Sequence, residues 1–429
     1  MKRKLIEELI RWKSENSDTP IILTGAKGVG KTYLAYDFAK AFFEQISYIN
    51  FERNSESSSL FCTFEAGEFT AKITDYLHLS EDSSIKGRIL ILDEIGHCEE
   101  ALQALSKGLF NGIFQFIIAT SSHPLTMEQE KVFTRLSVHP LEFDEFLKAI
   151  GSDWYIEAIV NHFNTNTNIP DIVHKELLSL HRLYLQIGGM PGLVNEYLNF
   201  SDAVNVSEQH AFIVGSYHEY ISRDNTDSDA LKMKQVFDSL TYQLMKDNKK
   251  FQYKIIRKGT THAMYRDAIQ KLVEQNYVIR CNKINTEQLQ NPSELILLNN
   301  SCDTTNSNFK LYFPDTGLLY SKIIEEQGTK GVVNIKKALL ENYVAQSLQA
   351  KNYPFVFWES ESMAKIDFII AKNFEIIPIE IHESSITRSK SISVLRQKCE
   401  FPYAIKISSK NFEYSNQIKY VPYYAVFCL

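Results

Sequence analysis

The chain has 429 residues, 44% of them hydrophobic and 23% charged, with a formal net charge of −6. That length calls for two or three globular domains. The acidic balance excludes whole-chain attraction to nucleic acid or to an anionic membrane, so any DNA-binding surface must be local. Six scattered cysteines form no C-x-x-C pair and have no histidine partner at zinc-finger spacing, which reads as reduced, packed thiols. No apolar stretch approaches the roughly 18 residues of a membrane span, and Met1-Lys-Arg-Lys-Leu-Ile-Glu-Glu lacks a signal-peptide core. A cytoplasmic protein without membrane contact is expected.

Residues 2–16 place Leu5, Leu9 and Trp12 on one stripe of a short amphipathic helix. Strand patterns follow at Ile21–Thr24, Ile46–Phe51, Ile89–Leu92 and Phe114–Ala119, with helix patterns near 31–43 and 99–107. This alternation predicts βαβ units and a parallel sheet. Arg53–Ser59 reads as an exposed loop. From about 140 to 300 the pattern is mostly helical, with polar connectors at 164–170 and 223–229. Residues 299–308, the most polar stretch, suit a hairpin turn or a linker. A helix near 331–350 and strand runs at Phe355–Trp358, Ile366–Ala371, Ile376–Ile381 and Tyr403–Ile407 predict a second α/β unit.

Between the first strand and its helix lies Gly25-Ala26-Lys27-Gly28-Val29-Gly30-Lys31-Thr32, a full G-x-x-x-x-G-K-[ST] phosphate loop, followed by Tyr33. Glycines let backbone N–H groups wrap a polyphosphate closely, and the helix N-terminus adds partial positive charge. Lys31 would reach the β/γ-phosphates and the Thr32 hydroxyl would hold Mg²⁺. Arg88-Ile-Leu-Ile-Leu-Asp93-Glu94 is a buried strand ending in two carboxylates. Asp93 suits the Mg²⁺ shell, and Glu94 suits orienting and deprotonating the attacking water. The next strand ends in Thr120-Ser121-Ser122, where a hydroxyl, Thr120 or Ser121, could sense the γ-phosphate. Ser122 could equally cap a helix. Arg135 suits a charge-stabilising finger, in cis or from a neighbouring copy, or a surface salt bridge. No Asn-Lys-x-Asp motif follows, which favours ATP over GTP.

These residues resemble prokaryotic AAA+-type ATPases that carry a nuclease-like C-terminal domain without an assigned activity. The ordered landmarks are Leu9–Lys13, Tyr48-Ile-Asn50-Phe51, Leu92-Asp93-Glu94-Ile95, His139–Leu147, Tyr184–Pro191, Asn248–Lys254 and Phe309–Leu319. The resemblance implies an α/β fold class built from three parts. They are an AAA+-like P-loop NTPase domain with a parallel sheet, a helical lid with a winged-helix-like middle, and a C-terminal α/β restriction-endonuclease-like domain. The expected domains are 1–150, 151–206 (lid), 207–300 (winged-helix-like) and 301–429 (nuclease-like, degenerate). Gly188-Gly189-Met190-Pro191 suits a sharp corner between helices.

Restriction-type nucleases need an acid on an early helix, then an Asp, then Glu-x-Lys on the next strand, to hold Mg²⁺ and a nucleophile. Glu341, Asp367 and Glu380 offer that second metal site, the last two on a hairpin around Lys372-Asn373, but the lysine position holds His382. For double-stranded DNA, residues 246–271 combine Lys246, Lys249, Lys250, Lys254, Arg257 and Lys258 with Phe251 and Tyr253, ahead of a recognition-helix pattern. A solvated helix–turn face is the plain alternative. The expected function is a Mg²⁺-dependent ATPase coupling ATP hydrolysis to DNA-interacting domains, and homo-oligomers are compatible with it. A nucleotide-gated switch and an ATP-regulated nuclease are the rivals.

Overall fold

The computed structural model describes residues 2–15, 19–52, 60–62, 65–79, 85–200, 205–291, 295, 307–328, 335–361 and 364–429. The exposed-loop expectation at Arg53–Ser59 and most of the polar stretch 299–308 lie outside the described residues. The chain divides into two compact units, Lys2–His139 and Pro140–Leu429.

The first unit holds β1 (Ile21–Thr24), β2 (Gln45–Asn50), β3 (Arg88–Asp93), β4 (Phe116–Ser121) and β5 (Thr134–Ser137). They form one parallel sheet in the order β2-β3-β4-β1-β5. β1, β3 and β4 are buried along their whole length, which is why they read as unbroken apolar runs rather than alternating ones. Helix α1 (Ile6–Ser14) buries Leu9 and Trp12; the Trp12 ring meets Phe116 edge-on at 5.2 Å. Helix α2 (Lys31–Phe42) follows the phosphate loop. A core of Phe51, Phe61, Phe69 and Phe110 joins Leu90 and Leu92. Strand β5 escapes the sequence pattern because Thr-Arg-Leu-Ser carries a single apolar residue and lies at the sheet edge.

The division falls at His139, ahead of the boundary expected at 150. Leu141 N–H donates to the Gly189 carbonyl at 2.7 Å, and the Tyr184 hydroxyl donates to the Leu141 carbonyl at 2.6 Å. Phe143 and Phe146 pack on Tyr184. The segment from 140 therefore packs with α3 (Asp171–Ile187) and α4 (Pro191–Phe200), whose junction is the Gly-Gly-Met-Pro corner. A Cβ on Gly189 would stand 2.2 Å from the Leu141 carbonyl oxygen, so glycine is required by close approach.

Next come α5 (Val206–Asp224), α6 (Asp227–Leu244), the short α7 (Tyr253–Ile256) and α8 (His262–Glu274). Strands β6 (Ile279–Ile284), β7 (Phe309–Tyr312), β8 (Phe355–Glu359), β9 (Lys365–Lys372), β10 (Glu375–Ile381), β11 (Ala404–Ser408), β12 (Glu413–Ser415) and β13 (Ile418–Pro422) form a mixed sheet. Its order is β12-β13-β11-β10-β9-β8-β6-β7. Because β6 pairs in parallel with β8, one sheet crosses residue 300, the expected boundary between middle and C-terminal domains. Residues on either side of it share a single hydrogen-bonded layer. Asp315 caps α9 (Thr316–Gln327) and also accepts the Gly189 N–H at 2.6 Å, so two landmark motifs dock on each other. Helix α10 (Ile335–Ala350) is buried from Ala338 to Leu348. β9 and β10 are joined by Asn373 and Phe374, both at positive φ, a two-residue hairpin turn.

Candidate nucleotide site

The phosphate loop runs from the end of β1 into α2, with Gly30 at φ 92° and ψ 24° ahead of the helix. Ala26 and Val29 turn their side chains into the core, so they offer a ligand only backbone. Tyr33 is exposed on the first turn of α2. Lys31 is buried, and its ammonium donates to the Gly25 and Ala26 carbonyls at 3.0 and 3.1 Å and to Ser122 Oγ at 2.7 Å. Burial lowers its pKa, against the opposing pull of Glu94.

Strand register brings the acids to this loop. Asp93, at the end of β3, is opposite Asn50 on β2, and the two-residue alternation of a strand puts Tyr48 on the same face. Asp93 Oδ1 accepts from Thr32 Oγ1 at 2.8 Å and Thr120 Oγ1 at 2.5 Å. Its Oδ2 accepts from Tyr48 Oη at 2.7 Å and Asn50 Nδ2 at 2.9 Å. Burial and the Asp93 bond push the Tyr48 phenol well above its ordinary range. Tyr48 and Asn50 belong to the sequence landmarks, but only the pairing of β2 with β3 reveals their task.

Glu94 sits at φ 56° and ψ 45°, a left-handed conformation that non-glycine residues seldom adopt. Its carboxylate accepts from the Ser122 N–H and hydroxyl, each at 2.8 Å. Lys27 lies 3.3 Å and Lys31 3.5 Å away, and Lys27 also pairs with Glu52 at 2.6 Å. Burial alone would raise the Glu94 pKa, but Lys31, Lys27 and Ser122 more than reverse that and hold it down to about 2.

Of the three hydroxyls after β4, Thr120 donates to Asp93 and accepts the Glu94 N–H at 3.0 Å. Ser122 joins Lys31 to Glu94, whereas Ser121 donates to the His123 carbonyl. Arg135 lies on β5, with Nε on Thr24 Oγ1 at 3.2 Å and a guanidinium nitrogen on Glu130 at 2.6 Å. Lys31, Thr32, Asp93, Glu94 and Thr120 thus converge. The Thr32 hydroxyl and Asp93 carboxylate, 2.8 Å apart at a helix N-terminus, are the hard oxygen donors that suit Mg²⁺.

The second acidic cluster assembles differently. Glu341 and Asp367 line one cavity, and Glu380 is not part of that lining. Glu380 instead bonds Ser389 at 2.7 Å and His382 at 3.3 Å, with Lys406 at 3.4 Å. Glu341 is salt-bridged to Lys249 and Lys310, each at 2.8 Å, and accepts the Tyr312 hydroxyl at 2.7 Å. Two ammonium groups already compensate Glu341, and among the described residues the carboxylates of Glu341, Asp367 and Glu380 do not all lie within metal-sharing distance of one another. The same geometry removes Lys249 from the expected DNA surface, and Lys250 pairs with Glu359.

Residues 17–147 match the AAA domain family, 179–327 a domain of unknown function (DUF8612) and 336–426 another (DUF4143). No curated protein matches the chain. Among solved structures, the Walker-type ATPase PABY2304 of Pyrococcus abyssi is 15% identical, with 75% of this chain and 95% of that one covered and a TM-score of 0.43. The Aeropyrum pernix ORC1 protein in complex with DNA is 12% identical, with 75% and 91% covered and a TM-score of 0.30. Among the described residues no helix is long and apolar enough to cross a membrane. The AAA match coincides with the parallel sheet and the converged phosphate-loop residues, so residues 17–147 form an AAA-family domain, and the regions after it match two domains of unknown function.

Proposed function

We propose that the chain is a Mg²⁺-dependent ATPase whose hydrolysis drives conformational change in attached DNA-interacting domains. The observation that carries this reading is the single network joining Lys31, Thr32, Asp93, Glu94, Thr120 and Ser122. The loop backbone and Lys31 would hold the β/γ-phosphates, Lys31 exchanging its carbonyl partners for phosphate oxygens. Mg²⁺ held by Thr32 and Asp93 would neutralise phosphate charge. Glu94 orients the water and takes its proton, and Thr120 fixes the position of Asp93 against the backbone of Glu94. Arg135, exposed on the edge strand, is suited to reach a neighbouring copy's site.

The DNA part rests on the order α6, α7, α8, then the β6–β7 hairpin, which is the element order of a winged-helix unit. Lys246, Lys254, Arg257, Lys258 and Arg266 are exposed there, which narrows the surface within residues 246–271. A nucleotide-gated switch is the second reading. It is favoured by Glu94 being held by Lys27, Lys31 and Ser122, partners that compete with its use as a base.

Steady-state ATP hydrolysis with Mg²⁺, with and without double-stranded DNA, separates the two. For the ATPase, wild type turns over and is stimulated by DNA, while Glu94→Gln keeps ATP bound and loses about 100-fold or more in turnover. Tight binding without turnover in wild type selects the switch.

A further inference from the structure

The cavity beside α10 has a volume of about 470 Å³ and is unlike a metal-dependent nuclease site in its charge. Its lining includes Lys249, Lys310, Lys337 and Lys365 together with Glu341 and Asp367. Of the remaining acids on the lining, Glu359 is paired with Lys250 and Asp247 is exposed. Lys249 and Lys310 are buried, which costs several kcal/mol per charge unless each is compensated. They share one carboxylate, Glu341. Asp367 spends Oδ2 on the Ile381 N–H at 2.8 Å. Among the described residues no carboxylate is ion-paired with Lys337 or Lys365. Lys365, an exposed residue, is lowered by partial desolvation first and then by the charge of Lys337. Counting Lys250, which holds Glu359, five ammonium groups stand against the four carboxylates Asp247, Glu341, Glu359 and Asp367, a surplus of one positive charge.

We propose that this cavity binds a phosphate group, held by Lys337 and Lys365 at the opening and by the spare donors of Lys249 and Lys310 within. Each ammonium has three donors, and Glu341 occupies one on each inner lysine. The phosphate belongs either to a nucleic-acid strand or to a small phosphate compound. The strand source rests on the DNA-interacting reading above; the cavity's affinity for phosphate does not.

The test compares the full chain with Lys337→Ala/Lys365→Ala in two arms. In the first, fluorescence anisotropy follows a fluorescein-labelled duplex across a salt series. A strand source predicts binding about 10-fold weaker in the variant, with a salt slope shallower by about one for each phosphate that the variant leaves unneutralised. In the second, thermal unfolding is followed with pyrophosphate, both proteins also carrying Lys31→Ala to silence the phosphate loop. A small-molecule source predicts stabilisation that the two lysine substitutions abolish. Lys365→Ala alone, at an exposed position, serves if the double change impairs folding. Equal affinity, slope and stabilisation in both proteins would overturn the proposal. DNA-stimulated ATP turnover alongside that result would leave the wider ATPase reading standing, and its absence with lysine-dependent pyrophosphate binding would do the reverse.

Discussion

Asp93 and Glu341 are both buried carboxylates at the centre of a polar cluster, and their neighbours give them opposite chemistry. Asp93 is held by two threonine hydroxyls, a phenol and an amide, all neutral donors. A hard cation can take its place among such donors because hydroxyl oxygens also serve as ligands. Glu341 is held by two ammoniums that carry the charge a cation would bring. The presence of an acid at the right strand or helix position is therefore a weak guide to metal binding, and the formal charge of the groups already bonded to it is a stronger one.

Breaking the first cluster at its lysine has the largest expected effect. Lys31→Ala removes the group suited to hold the β/γ-phosphates, and ATP turnover should fall by about 100-fold or more; unchanged steady-state hydrolysis would remove the site assignment. Breaking the second cluster should show in stability rather than in ATP chemistry. Glu341→Ala leaves Lys249 and Lys310 buried without their carboxylate, at a cost of about 3–5 kcal/mol in chemical denaturation. A cost below about 1 kcal/mol would show that water compensates the lysines.

The comparison sharpens with pH. The Glu94 carboxyl is lowered from 4.5 to about 2 on folding, so the unfolded chain binds its proton more readily than the folded one. The stability it contributes is present above pH 4.5 and lost as pH falls through about 2, on the order of 3 kcal/mol. Unfolding followed over that window should show the acid limb in wild type and a flatter profile in Glu94→Gln. The smallest effect is expected from Tyr48→Phe, which removes one of the two donors on Asp93 Oδ2. A change of about 1 kcal/mol, read as a few-fold shift in the Mg²⁺ concentration for half-maximal turnover, would match a neutral hydrogen bond.

Much of the first unit was legible because its chemistry is local in the chain. The eight-residue phosphate loop carries its own glycines, lysine and threonine, and Asp93-Glu94 end an apolar run that only a fully buried strand explains. β5 was not legible, since a four-residue edge strand with one apolar side chain leaves no period to detect. Helix α10 was found near its place, but its sequence could not say that it is buried on nearly every side, between sheet and helices. The division at His139 depends on Leu141, Phe143 and Phe146 meeting Tyr184 and Gly189, about forty positions further along the chain.

The order of residues alone thus decided that a polyphosphate loop opens a helix, which acids end β3, and that a second α/β region follows. Those outcomes depend on backbone conformation and burial over a few consecutive residues. Folding in three dimensions decided which donors surround each acid. It set Tyr48 and Asn50 on Asp93 through β2–β3 register, and Thr120 and Ser122 on the two carboxylates through β4. It brought Lys249 and Lys310 to Glu341. The charge and protonation of a buried carboxylate depend on groups within a few ångströms, and residues that close in space can be tens to hundreds of positions apart in the chain.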